Sequence, residues 1–292
     1  MLQGGKLEMF NLALRNVKNF FRQKSAVIFS LLSVLIIIAL FALFLGQNLT
    51  DSIQNEAQIE NAKIIMNSWV MAGIVAVTCV TAPLGALAIM ISDKNKKIIK
   101  DLKAAPIKTS AIAAGYFLNC LLIGFIMSSI ALIVGEVYLV IIGAPVLTFV
   151  QILKILGIMV ISLLASGSFA FFIASLIQND SAYAAVNTII GTLIGFLMGI
   201  YVPIGVFGKG VQWAIMGFPL SHSAVLLRQV FTDIPIKDVV SESFSGQLKN
   251  EIGVTYDFGN GIFPVWGHIL ILLLTAVLFF GLSVLVLSKK KK

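Results

Sequence analysis

Residues with the chemistry of a catalyst are sparse in this sequence and do not converge. Histidine occurs only at His222 and His268. Either imidazole has the chemistry of a general base, yet a lone histidine near a membrane interface more often fills a structural place. No HExxH pair sets two imidazoles on one helix face for zinc. The two cysteines, Cys79 and Cys120, lie inside apolar runs without metal-ligand spacing, which points to small buried residues and not to a disulfide framework. Glu136 is the only carboxylate well inside an apolar run, and Lys154 is its nearest partner in sequence. A deeply buried acid there would suit an ion or proton site. An acid that has already reached the interface would not, and proton coupling ordinarily shows more intramembrane acids. No GxxxxGK[ST] loop is present, so this chain has no P-loop for ATP. The glycine-rich Gly205-Val206-Phe207-Gly208-Lys209-Gly210 lacks the required spacing.

The elements that position these groups are membrane elements. Of 292 residues, 59% are hydrophobic and 12% charged, and the mean hydropathy is +1.00. Soluble domains carry about 25% charged residues. The net charge of +8 is no argument for nucleic acid, because the basic residues cluster beside apolar runs, where they set orientation and meet anionic lipid.

Residues 6–24 come first. Leu7, Phe10, Leu14, Val17 and Phe21 recur at helical steps, and Glu8, Asn11, Arg15, Lys18 and Arg22 repeat those steps on another face. The pattern predicts an amphipathic helix lying in the inner membrane interface. Spans of about 20 apolar residues are predicted at 26–46, 69–91, 111–134, 152–177, 182–202 and 265–287. Pro83 should kink the second, Gly143-Ala144-Pro145 makes a turn after the third, and residues 178–181 give a tight return. Residues 203–264 are too apolar at first for a loop and too broken by glycine and proline for a crossing. They read as short helices dipping into the outer leaflet, followed by a polar, loop-like stretch from Thr232. The fold class is all-α membrane protein, one domain over 1–292: six transmembrane helices, an N-terminal interfacial helix (6–24) and re-entrant outer helices and loop (203–264).

Between the second and third spans, residues 92–110 carry six lysines and two aspartates. Ile98, Ile99 and Leu102 at helical spacing predict a short amphipathic helix from about Lys94 to Ala104, stopped by Pro106. Such a segment serves either as a topology signal or as a docking helix that receives force from a soluble partner. Six spans put both termini on one side. That side holds fifteen lysines and arginines against six on the other, which places both termini in the cytoplasm. Gly191, Gly195 and Gly199 at steps of four offer a close-packing face on the fifth span, within one subunit or against a second.

This order of parts resembles the ABC exporter permeases, the type V membrane subunits of drug, polysaccharide and peptide exporters. Asp93-Lys94-Asn95-Lys96-Lys97 and Ala104-Ala105-Pro106-Ile107-Lys108 match the family's first cytoplasmic loop, although its usual Glu-Arg-Gly is replaced by Lys-Asn-Lys. Pro219-Leu220-Ser221-His222 and Leu227-Arg228 match its outer helices. The resemblance implies an ATP-driven exporter subunit in the plasma membrane of a bacterium, not itself an enzyme and binding no cofactor. Two ABC ATPase subunits would hold ATP and magnesium, and a second permease copy or paralogue would complete the assembly. Lys94, Lys97, Ile98, Ile99, Asp101, Leu102 and Pro106 would couple to the ATPase. Phe10, Leu14, Arg15, Lys18, Phe21 and Arg22 of the interfacial helix would pack beside them. Phe29, Ser33, Thr78, Asn187 and Thr188 would line a path suited to hydrophobic or amphipathic cargo: a drug, a lipid-linked molecule or a membrane-active peptide. Phe218, Pro219, His222, Leu227 and Arg228 would form the outer gate, and Gly191, Gly195 and Gly199 the dimer seam. Other readings are an ion-coupled carrier, a membrane-embedded enzyme, or a non-transporting immunity or sensor subunit of the same fold.

Overall fold

The computed structural model describes residues 2–24, 62–105, 107–239, 242–259 and 261–289. The predicted first span at 26–46, with Phe29 and Ser33, lies outside them, as does Pro106. The described residues form α1 (Leu2–Arg22), α2 (Ala62–Asn95), α3 (Ile98–Ala104), α4 (Thr109–Ile141), α5 (Phe149–Leu176) and α6 (Asp180–Leu197). Four short helices follow, α7 (Lys209–Gly217), α8 (Ser221–Phe231), α9 (Asp233–Val239) and α10 (Glu242–Glu251), and then α11 (Val265–Lys289). Five of these helices, α2, α4, α5, α6 and α11, are long and apolar enough to cross a membrane. They coincide with the five predicted spans that fall on described residues.

α2 is the hub. At 34 residues it is about 50 Å long, well beyond the ~30 Å hydrocarbon, so its first turns replace the end of the predicted polar loop. It is buried nearly all round, packed by α4, α5, α6 and α8. Pro83 sits inside it and, lacking an N–H, leaves the Cys79 carbonyl without its helical donor. Ser166 Oγ on α5 donates to that carbonyl at 2.5 Å. Tyr183 on α6 donates to Leu84 O at 2.6 Å and Asn119 on α4 to Ala86 O at 3.3 Å. Three neighbouring helices are thus hydrogen-bonded to the same short stretch of α2 backbone. Where no hydrophobic effect operates between helices, such polar contacts and close packing hold a bundle together. Gly124 makes the approach at the kink possible, since a Cβ there would lie 3.0 Å from Pro83 Cγ and 2.5 Å from Leu163 Cδ2.

α11 lies along α5 through phenylalanine contacts, Phe169 and Phe172 against Phe279 at 5.1 and 5.5 Å. α4 continues through Glu136 to Ile141 before the Gly143 turn, where φ is +87°. Glu136 Oε1 accepts from Leu147 N at 2.8 Å, so this carboxylate ties the turn between α4 and α5. α5 opens with a capping box between Thr148 and Gln151.

Three expectations are corrected. The fifth span was expected to reach residue 202, but α6 ends at Leu197. The bond from Ile200 N to Gly195 O at 2.8 Å and that from Gly199 N to Phe196 O at 2.9 Å, with Gly199 at φ +63°, form a Schellman motif that stops the helix. The charged-loop helix expected over 94–104 is two pieces: α2 runs on to Asn95, and α3 begins at Ile98 after Lys97 turns the chain at φ 63°. The stretch after Thr232 is not loop-like, because α9 and α10 occupy much of it. α1 forms where the sequence predicts a helix. The face against the protein is Leu12, Ala13 and Asn16, all buried, whereas Phe10 is 51% exposed and Leu14 and Phe21 also face outward.

Candidate functional site

The end of the bundle bearing the lysine-rich segment is built around Asp93, at the last turn of α2. Asp93 is buried, and its Oδ2 takes an ion pair from Arg15 of α1 and a 2.5 Å hydrogen bond from the Tyr116 hydroxyl of α4. Asn16 Oδ1 holds the same guanidinium at 2.7 and 3.0 Å. Leu12 crosses Gly115 so closely that a Cβ there would stand 2.9 Å from its Cδ2. These contacts fasten α1 to α4 and to the end of α2. One residue on, Lys94 Nζ donates to the carbonyls of Ala174 and Ile177 at 2.6 and 3.1 Å, capping the negative end of α5.

α3 hangs from this clamp. Ile99 and Leu102 pack against the core of the chain, while Lys96, Lys97, Lys100 and Asp101 are exposed. The exposed face of the segment is therefore mainly basic. Lys18 and Arg22 of α1 are exposed as well. Of the residues singled out for coupling, Lys97 and Asp101 face solvent, Lys94 serves α5, Ile98 is half-buried, and Ile99 and Leu102 hold α3 to its own chain. Sequence reasoning missed Asp93 and Tyr116 as the anchor; the only available signal was an acid at the very end of an apolar run.

At the other end, α8 carries a second polar centre. Arg228 is 1% exposed. Its Nη2 donates to Met198 O and Gly199 O at 2.8 and 2.7 Å, Nη1 lies 3.4 Å from Gly253 O, and the guanidinium sits 4.5 Å above the ring of Trp69. Trp69 Nε1 in turn donates to Ile252 O. Burial pushes the guanidinium down to about 10, so it remains charged at neutral pH. One cation thereby gathers the stop of α6, the start of α2 and the turn after α10. The Schellman glycine supplies the carbonyl as well as the bend.

His222 and His268 also meet, with 2.6 Å between their Nδ1 atoms. A hydrogen bond there requires one ring to carry its proton at Nδ1 and the other to accept. Burial, then the neighbouring ring of His268, holds His222 down to about 3. Tyr256 and Phe263 pack edge-on and tilted around the pair. Leu227 is buried, while Phe218 and Pro219 are half-buried between α7 and α8.

Of the expected path residues, Phe29 and Ser33 lie outside the described residues. Thr78 is buried and returns its hydroxyl to Ile74 O at 2.8 Å. Asn187 and Thr188 lie on α6, whose only buried residues are Tyr183, Ile194 and Gly195. Of the seam glycines, Gly195 is filled by Tyr201, whose ring would lie 2.2 Å from an added Cβ, and Gly199 makes the turn; Gly191 faces open space.

A family model, the ABC-2 type transporter, matches residues 8–232, well over half of the chain. This protein belongs to the ABC-2 transporter family. The match covers the Asp93 clamp, α3 and α8 up to Thr232. The chain is therefore the membrane permease component of an ABC-2 transporter, a multi-pass membrane protein whose family works with a separate ABC ATPase. A search of curated proteins finds no match.

Proposed function

We propose that this ABC-2 permease is the membrane subunit of an ATP-driven exporter that moves a hydrophobic or amphipathic molecule out of the cytoplasm or inner leaflet. The carrying observation is the Asp93 clamp. It makes α1, the end of α2 and α3 one lever, and α3 turns a basic face outward. Two ABC ATPase subunits, holding ATP and magnesium, grip that face on two permease copies or paralogues. When they close, the levers carry α2, and through Ser166, Tyr183 and Asn119 the rest of the bundle follows. A ligand shifts such an equilibrium only by its differential affinity for the two states. Both termini lie in the cytoplasm of a bacterial cell, as the lysine asymmetry supports, and α7–α10 form the re-entrant outer cap.

The test is co-purification with the cognate ABC ATPase, together with ATPase activity of the purified pair against amphipathic compounds. Lys97→Glu with Lys100→Glu should reduce ATPase retention at least about tenfold without lowering the thermal stability of the permease. Undiminished retention and activity would overturn the coupling reading. Ile99→Asp or Leu102→Asp would not separate the two ideas, because those side chains also hold α3 to the core.

A further inference from the structure

His222 and His268 each sit in the first turn of a helix, α8 and α11. Both are buried, and the 2.6 Å contact between their Nδ1 atoms ties the short-helix cap to the last long helix. Among the described residues no other side-chain hydrogen bond joins α8 to α11. The cover over the pair is slight. Asp257 pairs with Ile262 in an isolated antiparallel bridge, and Phe263 N donates to Tyr256 O at 2.7 Å. The rings of Tyr256 and Phe263 close over the imidazoles at 5.0 to 6.0 Å. Ile262 on the cover and Trp266, two residues before His268, are exposed.

The contacts fix where protons can sit. One Nδ1 must donate and the other accept. His268 Nε2 is buried without a hydrogen-bond partner. A buried N–H without an acceptor is rarer than a buried acceptor without a donor, so His268 carries its proton at Nδ1 and His222 accepts. A further proton then finds no place. On His268 it would sit at Nε2, facing no acceptor. On His222 it would sit at Nδ1, against the Nδ1–H of His268. No acid offsets the charge, since among the described residues no ion pair reaches either ring. Lys63 of α2, Lys154 of α5 and Lys209 of α7 are exposed, as is Glu251 of α10, and Lys249 of α10 is half-buried. Asp233 and Lys237 of α9 pair with each other. Asp257 on the cover accepts from Gly259 N and Gly261 N. Arg228 of α8 is spent on carbonyls, and Tyr256 is a neutral phenol beside both rings.

We propose that this pair is an acid-operated latch: protonation of both imidazoles parts α8 from α11 and lifts the cover formed by residues 256–259 and 261–263. In a cap placed outside, as the export reading has it, external acid is the input. The latch itself requires neither ATPase nor cargo, so it stands or falls apart from that reading. Once parted, each ring meets water and titrates near its ordinary value of about 6.5. From pH 7.5 to 5.5 the parted form then gains about tenfold per ring, about a hundredfold for two.

Hydrogen–deuterium exchange of the full chain in detergent, corrected for the pH dependence of free amides, tests this. The reporters are the amides of Phe263 and Gly267, bonded to Tyr256 O and Pro264 O at 2.7 and 2.9 Å. In the wild type their protection should fall about a hundredfold from pH 7.5 to 5.5 and return at pH 7.5. His222→Asn or His268→Asn should each reduce the fall to about tenfold, while the amides of α4 keep their protection. Should a variant fail to fold, the wild-type curve carries the test: between pH 6 and 5, two protons give a fall of about sixtyfold and one proton about eightfold. A wild-type fall of the one-proton size or smaller, an equal fall in α4, or a fall unchanged in the folded variants overturns the latch.

Discussion

Arg15 on α1 and Asp93 on α2, 78 positions apart in sequence, form the ion pair that joins the interfacial helix to the bundle. Asp93 is almost wholly buried, with 9% of its side chain exposed, while Arg15 keeps 35% of its own in solvent. Arg15→Ala leaves the carboxylate with only Tyr116. The expected loss is about 1–3 kcal/mol, less than for a fully buried pair because the arginine is partly screened. Asp93→Asn should restore part of the stability lost in Arg15→Ala, since the buried charge is then gone. A double-mutant cycle on thermal unfolding in detergent checks this, and strictly additive effects would show that the pair is not coupled.

The kink in α2 gives a second cycle. Ser166→Ala should destabilise by about 1–2 kcal/mol, because the Cys79 carbonyl then has neither a helical nor a side-chain donor. Ser162→Ala on the same helix is the control and should cost less, since that hydroxyl only returns to Ile158 O at 2.7 Å. Pro83→Ala supplies an N–H to Cys79 and should make Ser166→Ala nearly silent. A Ser166→Ala penalty that is unchanged in the Pro83→Ala background would refute this account of the kink.

Much of the bundle was legible because hydropathy and length are local properties. The five described spans, the Pro83 position, the Gly143 turn and the return near Asn179 follow from composition and turn chemistry. What the sequence hid were environments beyond two. A periodic stripe sorts α1 into apolar and basic faces, yet a helix at a membrane surface has three neighbours: water, lipid and protein. Leu12, Ala13 and Asn16 belong to the third, and no periodicity distinguishes them from the lipid-facing stripe. Gly195 and Gly199 matched a packing repeat, but their spacing also fits a Schellman stop, and only the turn at Ile200 tells the two apart. The sequence marks Arg228 only as an outer-gate residue and Asp93 only as part of the loop motif, because their partners are backbone carbonyls or residues far along the chain.

Arg228 orders a substitution series. Lysine keeps the charge but cannot reach the Met198, Gly199 and Gly253 carbonyls from one fork. Methionine keeps volume and leaves these carbonyls, buried, without that donor, at about 1–3 kcal/mol for each one truly unsatisfied. Thermal stability should therefore fall from wild type to Arg228→Lys to Arg228→Met. Trp69→Leu should remove less than Arg228→Met, since it deletes the aromatic face and one donor but spares the guanidinium–carbonyl bonds. A methionine variant as stable as wild type would remove Arg228 from the architecture of this end.

His222 gives a pH dependence whose sign follows from burial. Its folded value, about 3, lies below the ordinary 6.5, so the unfolded chain binds more protons between those values. Stability contributed by the neutral ring is complete above about pH 6.5 and is lost progressively as pH falls toward 3. At pH 5.5 the loss is about 1.4 kcal/mol relative to pH 7.5. His222→Asn keeps an acceptor where Nδ1 stood and cannot be protonated in this range. The melting temperature of the wild type in detergent should drop between pH 7.5 and 5.5, and that of His222→Asn should drop less by the share His222 carries. Parallel curves for the two proteins would mean that His222 is not held neutral in the fold.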